Sequence, residues 1–253
     1  MNYNQIIELV HSTKRIILNE EMARDVTVKG AADYVTKVDV AVQEYLRQEL
    51  EKTSPDIILL AEEQENNHLD KDKSYWILDP VDGTTNLIHN YQMSAVSLGL
   101  YEAGRIIFGI VYNPFTEETF HAVRGQGAFL NGKPIHVSHR DSFADCVISL
   151  GSCPYEKDKA KWLFPIFEKV FMETADFRRC ASAALDLCYV AAGRVDGYFE
   201  FNLKPWDYAA GSLIVEEAGG KITDWDGEKL PYLANASILT ATPEIYERLK
   251  TFL

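Results

Sequence analysis

The chain has 253 residues, and its 38 acidic side chains outnumber its 25 basic ones, so the formal net charge is -13. This charge excludes most proteins that bind nucleic acids or anionic membranes, because such partners require clustered positive charge. An apolar fraction of 47% is that of a globular chain with a large core, and the length fits one body of two lobes.

The N-terminal segment and the cysteines bear on the cellular compartment. Charged residues interrupt the apolar positions of residues 1–21, so the continuous apolar run of a signal peptide is missing. No stretch approaches the ~20 apolar residues of a membrane-spanning helix. The four cysteines form no CxxC pair, and a chain of this length has little need of disulfides. We therefore predict reduced, mostly buried thiols in a cytoplasmic protein.

The first part of the chain is predicted to be helical. Apolar residues at helical spacing indicate one long amphipathic helix at the N-terminus and a second helix from about Lys37. We expect a polar loop, Thr27 to Thr36, between them. Two short apolar runs follow, Ile57 to Leu60 and Trp76 to Leu78, and bounded runs of this kind are typical of buried strands.

The middle of the chain has the pattern of an antiparallel meander. Strands are predicted over Ala95 to Tyr101, Arg105 to Tyr112 and Thr119 to Val123, because turn signals separate these apolar runs. The dipeptide Asn131-Gly132 is typical of a further hairpin turn. The sequence therefore predicts an N-terminal α+β lobe, residues 1–137.

After residue 137 the pattern changes to alternating strands and helices, which is typical of an α/β lobe. Strands are predicted at Val147 to Leu150, Gly197 to Phe201, Ile222 and Ile238 to Thr240, and helices within Lys157 to Val170 and over Ala183 to Ala192, Tyr208 to Ala218 and Pro243 to Phe252. We therefore predict a second lobe, residues 138–253, with a site between the two lobes.

Acidic residues stand at the ends of several predicted elements, next to strongly apolar stretches. They are Glu62, Asp79, Asp82 and Asp207. Carboxylates held at strand tips suit a hard cation that needs oxygen ligands in fixed geometry. In the segment DPVDGTT, residues 79–85, the proline restricts the backbone, so both carboxylates can face one pocket beside the Val81 carbonyl.

The residues after Asp82 predict a phosphate-binding site. If Asn86 to His89 opens a short helix, the backbone N–H groups of Gly83, Thr84 and Thr85 are its unpaired N-terminal donors. Four carboxylates would repel a phosphate dianion, so the arrangement requires divalent cations between them. The ligands are all oxygen atoms, which favours Mg²⁺ or Mn²⁺ over zinc. Two ions would neutralise the four charges, and a third would match the substrate.

Each of these acidic residues also has a simpler explanation. Asp-Pro and Asp-Gly pairs are common in turns, and Asp207 could cap the helix that follows Trp206. Asp39 lies in a predicted first turn, where the helix dipole favours a carboxylate, and Glu200 could be an exposed charge at a strand end. It is therefore the combination, and no single residue, that predicts a metal centre.

Three segments together resemble the inositol monophosphatase family. They are LAEE at residues 60–63, WILDPVDGTTN at 76–86 and WDYAAG at 206–211. The similarity extends over almost the whole chain, with VTKVD at 35–39, GQGAFLNG at 125–132 and AALDLC at 183–188. The fold that the resemblance implies is a layered αβαβα sandwich, in which an antiparallel-sheet lobe meets an α/β lobe with the metals in the cleft.

The resemblance also implies which residues hold the metals. Glu62 and Asp79, with the Val81 carbonyl, would hold one Mg²⁺, and Asp79, Asp82 and Asp207 would hold a second. A third, weaker ion would depend on Glu62 and water. Mn²⁺ is a possible substitute, since it accepts the same oxygen ligands.

The catalytic set that the resemblance implies is Asp39, Thr84 and Glu62. Thr84, hydrogen-bonded to Asp39, would orient and deprotonate the attacking water, while the Gly83 and Thr84 amides hold the phosphate. A partner for Thr84 is also expected on chemical grounds, because an unassisted hydroxyl is a poor base. Hydrolysis would be direct and in line, without a phosphoenzyme.

The alcohol half of the substrate would meet a different set of residues. By the resemblance, Glu200 accepts hydrogen bonds from sugar hydroxyls, and Ser182 and Ala183 contact the sugar through their backbone. The chain departs from the family pattern at Ala61 and Ala181, which replace glycines, and at Asn90-Tyr91-Gln92-Met93, which replaces an aromatic-proline stretch. None of these changes removes a predicted metal ligand, so they bear on substrate contacts.

We predict a Mg²⁺-dependent phosphomonoesterase acting on myo-inositol 1-phosphate and related polyol or sugar phosphates. The resemblance further implies a homodimer and inhibition by Li⁺. Fructose-1,6-bisphosphatase and histidinol-phosphatase activities share the metal core and remain alternatives, while a 3'-phosphoadenosine nucleotidase is the least favoured, because the chain is compact. A regulatory or binding protein that keeps the fold without catalysis is an alternative of another class, although the chain retains both Asp39 and Thr84.

Overall fold

The computed structural model describes residues 1–66 and 69–253. The α-helices of this part of the chain are α1 Tyr3–His11, α2 Lys14–Ile17, α3 Glu20–Arg24, α4 Lys37–Thr53, α5 Thr84–Ile88, α6 Ala160–Glu173, α7 Ala183–Ala191, α8 Pro205–Glu217 and α9 Pro243–Lys250. Its strands are β1 Val26–Gly30, β2 Asp33–Thr36, β3 Ile58–Ala61, β4 Tyr75–Asp82, β5 Ala95–Glu102, β6 Arg105–Asn113, β7 Glu118–Val123, β8 Ala128–Leu130, β9 Lys133–Ile135, β10 Val147–Leu150, β11 Asp176–Arg178, β12 Gly197–Leu203, β13 Lys221–Asp224 and β14 Ala236–Ala241.

Two large sheets organise these elements. Strands β3 to β9 form a seven-stranded sheet in chain order, antiparallel except for the parallel pair of β3 and β4. The second sheet has the order β11-β10-β12-β14-β13, with β10 parallel to both of its neighbours. Strands β1 and β2 form a separate hairpin.

Helices lie on both outer faces and between the sheets. Apolar side chains of the N-terminal helices, such as Val10 and Leu46, are buried against one face of the seven-stranded sheet. Helices α7 and α8 pack between the two sheets, and helices α6 and α9 cover the far face of the five-stranded sheet through residues such as Leu163 and Leu249. The predicted αβαβα sandwich is therefore confirmed.

Helix α8 approaches the seven-stranded sheet unusually closely. A Cβ atom on Gly109 of β6 would lie 2.7 Å from the Ala210 carbonyl oxygen, and one on Gly99 of β5 would lie 3.3 Å from the Ala209 Cβ. On the other side of the helix, a Cβ atom on Gly211 would meet Leu187 of α7 at 2.7 Å. The small residues of the WDYAAG segment therefore allow this helix to fit between a sheet and a second helix.

The N-terminal prediction of one long helix was wrong. The segment is divided into α1, α2 and α3, because Ser12 and Thr13 donate their hydroxyls to the Leu9 and Val10 carbonyls and end the first helix. The Asn19 side chain then accepts from two backbone N–H groups and begins α3.

The predicted polar loop Thr27 to Thr36 was also wrong, since most of it forms the β1–β2 hairpin. All five residues of β1 are exposed, so the strand has no buried face, and the short alternation of Val26 and Val28 with polar residues is too weak a signal to reveal it. The three-residue strand β11 was missed for a similar reason, because it is too short to show a period.

Two further predictions concern membranes and thiols. In the described part of the chain, no helix combines the length and the apolar character needed to cross a bilayer. The four cysteines are free thiols, and Cys146, Cys153 and Cys188 are buried, as the composition predicted.

Candidate metal and phosphate site

A break in the ladder between β4 and β5 directs two carboxylates to the same side of the sheet. Asp79 pairs with Ser97 and Asp82 with Ala95, so three residue steps on β4 face two on β5. Residues three apart on a regular strand would point to opposite faces. The extra residue, beside the proline that cannot donate to the ladder, removes this alternation. The bulge thereby allows Asp79 and Asp82 to share one cleft.

Asp207 joins this pair from the other end of the fold. It is the third residue of α8, and its Oδ2 accepts the Lys204 backbone N–H at 2.7 Å. One carboxylate oxygen from each of Asp79, Asp82 and Asp207 lies within 4.8 Å of the others. The spacing allows one cation to contact all three residues.

Burial and mutual repulsion make these carboxylates hard to ionise. The pKa of Asp82 is raised to about 6, chiefly by burial, although hydrogen bonds from Ser182 and Ala184 oppose the shift. The pKa values of Asp79 and Asp207 are raised well above their ordinary range by burial and by neighbouring carboxylates. In the metal-free protein, bound protons can neutralise part of the negative charge of these carboxylates. In a site that holds metal ions, divalent cations would neutralise it instead.

Glu62 lies at the edge of the same cleft and has a different partner. It follows β3, and burial together with Glu63 and other carboxylates raises its pKa to about 7, while Lys29 opposes the shift. The Lys29 Nζ of the β1–β2 hairpin is 3.6 Å from Glu62 Oε1 and 2.7 Å from Glu63 Oε1. Sequence analysis missed Lys29, because it lies in the segment that was predicted to be a loop.

Thr84 and Asp39 form a hydrogen bond across 45 residues of sequence. The Thr84 hydroxyl donates to Asp39 Oδ1 at 2.9 Å, and the Val81 carbonyl oxygen is 3.1 Å away. Asp39 is fully buried as the third residue of α4, where its Oδ2 accepts the Thr36 backbone N–H at 2.9 Å. Burial raises the pKa of Asp39, although the hydrogen bonds from Thr36 and Thr84 oppose this. The two residues are therefore arranged as an acceptor and a hydroxyl that it orients.

The turn at Gly83 brings backbone N–H groups to the cleft. Gly83 has a φ of 94°, a conformation that favours glycine, and a Cβ there would lie 2.8 Å from the Met93 carbonyl oxygen. Helix α5 begins directly after it, so the first amides of α5 have no partner within the helix. The buried Asn86 amide donates to the Met93 and Cys180 carbonyls and fastens this turn to the neighbouring loop.

The predicted substrate residues lie at the start of α7 and on β12. The Ser182 hydroxyl donates to Asp82 Oδ2 at 2.7 Å, and the Ala184 N–H donates to the same oxygen at 2.7 Å. Ser182 is buried, and its neighbours Ala181 and Ala183, not Ser182 itself, line the cleft. Glu200 of β12 also lines the cleft.

The cleft has a volume of about 510 Å³ and is lined by residues of β4 and β12, one strand from each large sheet, and by neighbouring loops. Tyr155 and Arg179 line it as well, and sequence analysis did not select either of them. Both lie in irregular segments, Tyr155 after β10 and Arg179 after β11, where no local pattern marks a functional residue. The positive φ of 59° at Ala181 explains why a glycine suits that position.

These observations define a class of protein. The donors are carboxylate and carbonyl oxygen atoms, which suit Mg²⁺ or Mn²⁺, and the close acidic residues need compensating positive charge. Backbone N–H groups and an oriented hydroxyl lie beside them. A cleft of this composition is typical of metal-dependent phosphoester hydrolases.

Comparison with known proteins agrees with this class. Residues 3–252 match the sequence model of the inositol monophosphatase family. The Nus factor SuhB of Escherichia coli K12 is 41% identical over 224 residues, which cover 88% of this chain and 83% of that protein. The inositol-1-monophosphatase of Rhizobium meliloti is 41% identical over 230 residues, which cover 88% of this chain and 86% of that protein.

Solved structures extend the similarity to the fold. The extragenic suppressor protein suhB from Bartonella henselae superposes with a TM-score of 0.90 at 37% identity, over 99% of this chain and 97% of that one. An IMPase/NADP phosphatase complexed with Mg²⁺ and phosphate has a TM-score of 0.87 at 27% identity, over 100% and 96% of the two chains. The chain therefore belongs to the inositol monophosphatase family, and membership of this family supports a phosphatase activity.

Proposed function

We propose that this protein is a Mg²⁺-dependent phosphomonoesterase whose preferred substrates are phosphate esters of cyclic polyols, with myo-inositol 1-phosphate as the first candidate. The observation that carries the proposal is the 2.9 Å hydrogen bond from Thr84 to Asp39, next to the cluster of three carboxylates. A protein that only bound phosphate would need the amides and the cations, but it would not need an oriented hydroxyl.

The proposed metal ligands are Glu62, Asp79, Asp82, Asp207 and the Val81 carbonyl, and they would hold two to three Mg²⁺ ions. When bound, the ions would lower the pKa of a water molecule and offset negative charge on the leaving oxygen. The protein's part is to hold these ligands on a strand bulge and on a helix terminus that are both buried in the fold. The Mg²⁺ bound to the related IMPase/NADP phosphatase supports this choice of metal.

Thr84 and Asp39 would remove the proton from the attacking water. Asp39 accepts the Thr84 hydrogen, so the Thr84 oxygen has lone pairs free to accept a proton from water. As the water oxygen bonds to phosphorus and the bond to the alcohol oxygen breaks, the water proton passes to Thr84 and the Thr84 proton to Asp39. The raised pKa of the buried Asp39 favours this transfer. The alcohol leaves after taking a proton from solvent.

The substrate would span the cleft from the Gly83 turn to β12. The Gly83 and Thr84 amides would bind the phosphate oxygens, as unpaired N–H groups at a helix start do. The Ala183 backbone and the Glu200 carboxylate, which both line the cleft, would contact the alcohol half, and the buried Ser182 would support this wall through its bond to Asp82. The acceptor character of Glu200 supports an alcohol that carries hydroxyl groups.

The mechanism is tested by Thr84→Ala and Asp39→Asn with myo-inositol 1-phosphate and Mg²⁺. Because both residues act on the attacking water, kcat should fall by about 10²-fold to 10⁴-fold, with a much smaller change in KM. Thr116→Ala, which removes an exposed hydroxyl bonded to Glu118, serves as the matched control and should leave both constants unchanged. Losses below about threefold in both variants would show that the water is activated elsewhere.

The same metal core would serve fructose 1,6-bisphosphate or histidinol phosphate, so the substrate needs its own test. A phosphate-release assay over these two esters, inositol 1-phosphate and 3'-phosphoadenosine 5'-phosphate ranks the candidates by kcat/KM. We expect the polyol ester to be preferred. Adding Li⁺ to the same assay tests the inhibition that the family resemblance implies.

A regulatory role is the second candidate, and the name of a relative favours it. The Escherichia coli protein is called a Nus factor, whereas the Rhizobium protein is called an enzyme. The presence of both Asp39 and Thr84 supports catalysis in this chain. A wild-type protein that folds and binds Mg²⁺ but releases no phosphate from any ester of the panel would favour the regulatory role.

We also propose that the chain forms a homodimer through a face of α6 and β11. Phe164 and Phe171, seven residues apart on one side of α6, are 59% and 50% exposed. Met172 is 74% exposed, and Phe177 of the edge strand β11 packs against Phe171. Exposed apolar side chains grouped in this way are typical of a surface that meets a partner. A second copy is the partner that the family resemblance implies.

A further inference from the structure

Glu200 is held by contacts that its proposed role as a hydroxyl acceptor does not require. Tyr198 lies two residues earlier on β12, on the same face of the strand. Its hydroxyl donates to Glu200 Oε2 at 2.5 Å, and the tyrosine ring is fully buried. A side chain that only needed to reach into the cleft would not need this partner behind it.

Gly151 gives the carboxylate a flat surface on which to lie. A Cβ atom at Gly151 would be 1.8 Å from Glu200 Cδ and within 2.3 Å of both carboxylate oxygens. The Gly151 N–H donates to the Phe199 carbonyl at 3.0 Å, so the backbone beneath the carboxylate is fixed to β12. The Cys153 N–H, 3.5 Å from Oε1, points to the other oxygen.

These contacts leave only one side of the carboxylate open. Tyr198 occupies one lone pair of Oε2, the Cys153 N–H points to Oε1, and Gly151 covers one face. The acceptor positions that remain belong to a carboxylate that lines the cleft. Burial raises the pKa of Glu200, while the Tyr198 hydrogen bond and the Arg179 charge oppose this shift. A carboxylate whose orientation is fixed is a directional acceptor for hydroxyl groups.

We propose that Tyr198 and Gly151 form a seat that fixes the orientation of the Glu200 carboxylate, and that Tyr198 is thereby a positioning residue for ring hydroxyls of the substrate. The inference rests on the proposed phosphatase function. It assigns selectivity among phosphate esters to a buried residue that touches neither the substrate nor the metals. It also explains why position 151 must lack a side chain.

The test compares myo-inositol 1-phosphate with p-nitrophenyl phosphate, which lacks ring hydroxyls, in the presence of Mg²⁺. Tyr198→Phe removes one hydroxyl and keeps the ring, so kcat/KM for the polyol ester should fall by about tenfold, the scale of one hydrogen bond to a charged group. The value for p-nitrophenyl phosphate should change by less than about twofold, because that ester makes no such bond. Glu200→Gln should give the same pattern.

Two further variants separate positioning from general structural damage. Gly151→Ala displaces the Glu200 carboxylate without changing Tyr198, and it should reproduce the selective loss on the polyol ester. It therefore tests the inference even if Tyr198→Phe folds poorly. Tyr246→Phe removes another buried tyrosine hydroxyl, one that bonds Thr223 away from the cleft, and should leave the ratio of the two substrates unchanged.

A double variant decides whether the residues act as one unit. If Tyr198 works through Glu200, Tyr198→Phe should cost little in the background of Glu200→Gln. Independent losses that multiply, or equal losses on both substrates in Tyr198→Phe, would overturn the inference alone. No hydrolysis of either ester by the wild type would overturn the proposed function and this inference with it.

Discussion

At the scale of single residues, the carboxylates of Asp39 and Asp207 combine an observed contact at a helix start with a proposed role in the site. Both are third residues of a helix, and each accepts the backbone N–H of the residue three positions earlier. A carboxylate has about four acceptor positions, so the start of a helix uses only one or two of them. Sequence analysis treated capping of a helix and membership of the site as alternatives for these two residues. The structure shows that one carboxylate can do both.

Replacing Asp82 by Asn should abolish metal binding without unfolding the protein. The amide oxygen can still accept from Ser182 and Ala184, while the loss of one charge weakens attraction for Mg²⁺ and relieves repulsion with Asp79 and Asp207. In the wild type, Mg²⁺ at 100 times its Kd should raise Tm by about 5 to 10 °C, since the free energy gained is about 2.7 kcal/mol. The measurement is a thermal melt with and without Mg²⁺.

The melt of Asp82→Asn should not respond to Mg²⁺, and its metal-free Tm should equal or exceed that of the wild type. Asp226→Asn, at an exposed position, is the matched control and should respond as the wild type does. A full Mg²⁺ response in Asp82→Asn would remove Asp82 from the ligand set.

Asp186 predicts a pH dependence of stability that is separate from the metal ligands. It is buried on α7, where burial raises its pKa to about 8 against hydrogen bonds from Ser149 and Cys180, with Glu200 and Asp82 adding to the rise. The folded state thus holds this proton more tightly than the unfolded state. The stability that the proton contributes is complete below pH ~4 and is lost as the pH rises to about 8.

Asp186→Asn keeps the neutral form at every pH, so its Tm advantage over the wild type should be small near pH 4 and widen up to about pH 8. Each kcal/mol gained corresponds to about 2 to 4 °C in Tm for a chain of this size. Melts of both proteins in EDTA across this pH range provide the measurement. A constant difference between the two proteins would mean that Asp186 is ionised in the folded state.

At the scale of elements, α8 connects two distant parts of the fold. Its first turn carries Asp207, and its last turn carries Glu217, whose carboxylate accepts the Gly125 and Gly127 N–H groups at 2.8 Å each. The GQGAFLNG segment therefore holds the C-terminal end of α8 through Glu217. The first residues of WDYAAG, at the N-terminal end of α8, lie in the candidate site. Both ends depend on how closely α8 lies on the sheet.

Gly109→Ala should therefore destabilise the protein and reduce activity together. The new Cβ would be 2.7 Å from the Ala210 carbonyl, so α8 must move and Asp207 with it. Overpacking of this kind costs about 1 to 3 kcal/mol. Urea unfolding measures the loss of stability. Gly30→Ala, where the new Cβ would have an ordinary 3.6 Å contact, is the matched control.

Elements with a buried face could be predicted from the sequence, and those without one could not. Strand β10 has the bounds that the apolar run predicted. Helix α7 begins at the predicted residue and ends one residue early, and α8 begins three residues and ends one residue before its predicted bounds. The β1–β2 hairpin was hidden because β1 buries no residue and β2 is only four residues long.

Some residues of the candidate site could likewise be predicted from the sequence, and others could not. Asp79 and Asp82 lie three residues apart in one motif, and Glu62 and Asp207 stand beside apolar stretches, so the sequence alone could propose these four. Family resemblance added the role of Asp39. Lys29, by contrast, reaches the site only through tertiary structure, and nothing local distinguishes it from other surface lysines. The roles assigned to these residues, and the lobe boundary at residue 137, stay predictions.

At the scale of the whole molecule, the exposed face of α6 and β11 predicts assembly. Phe164→Asp together with Phe171→Asp should convert a dimer to a monomer, because two charges would be buried in an apolar contact. Sedimentation equilibrium measures the change in mass. Leu18→Asp, at an apolar residue that is 40% exposed on α2's end, is the control and should leave the mass unaltered. A monomeric wild type would refute the proposed homodimer.

The hydrogen bonds from Ser182 and Ala184 to Asp82 have a kinetic consequence. They join residues 100 and 102 positions apart, so they can form only after the long segment between them has been closed into a loop. Secondary structure within the meander between them needs no such closure. During refolding, the far-ultraviolet signal should recover first, and the capacity to bind Mg²⁺ should return only with the slowest phase. A chain still being made on the ribosome lacks the proposed ligand Asp207 until residue 207 has emerged, so it has no complete centre with which to bind a cation before then.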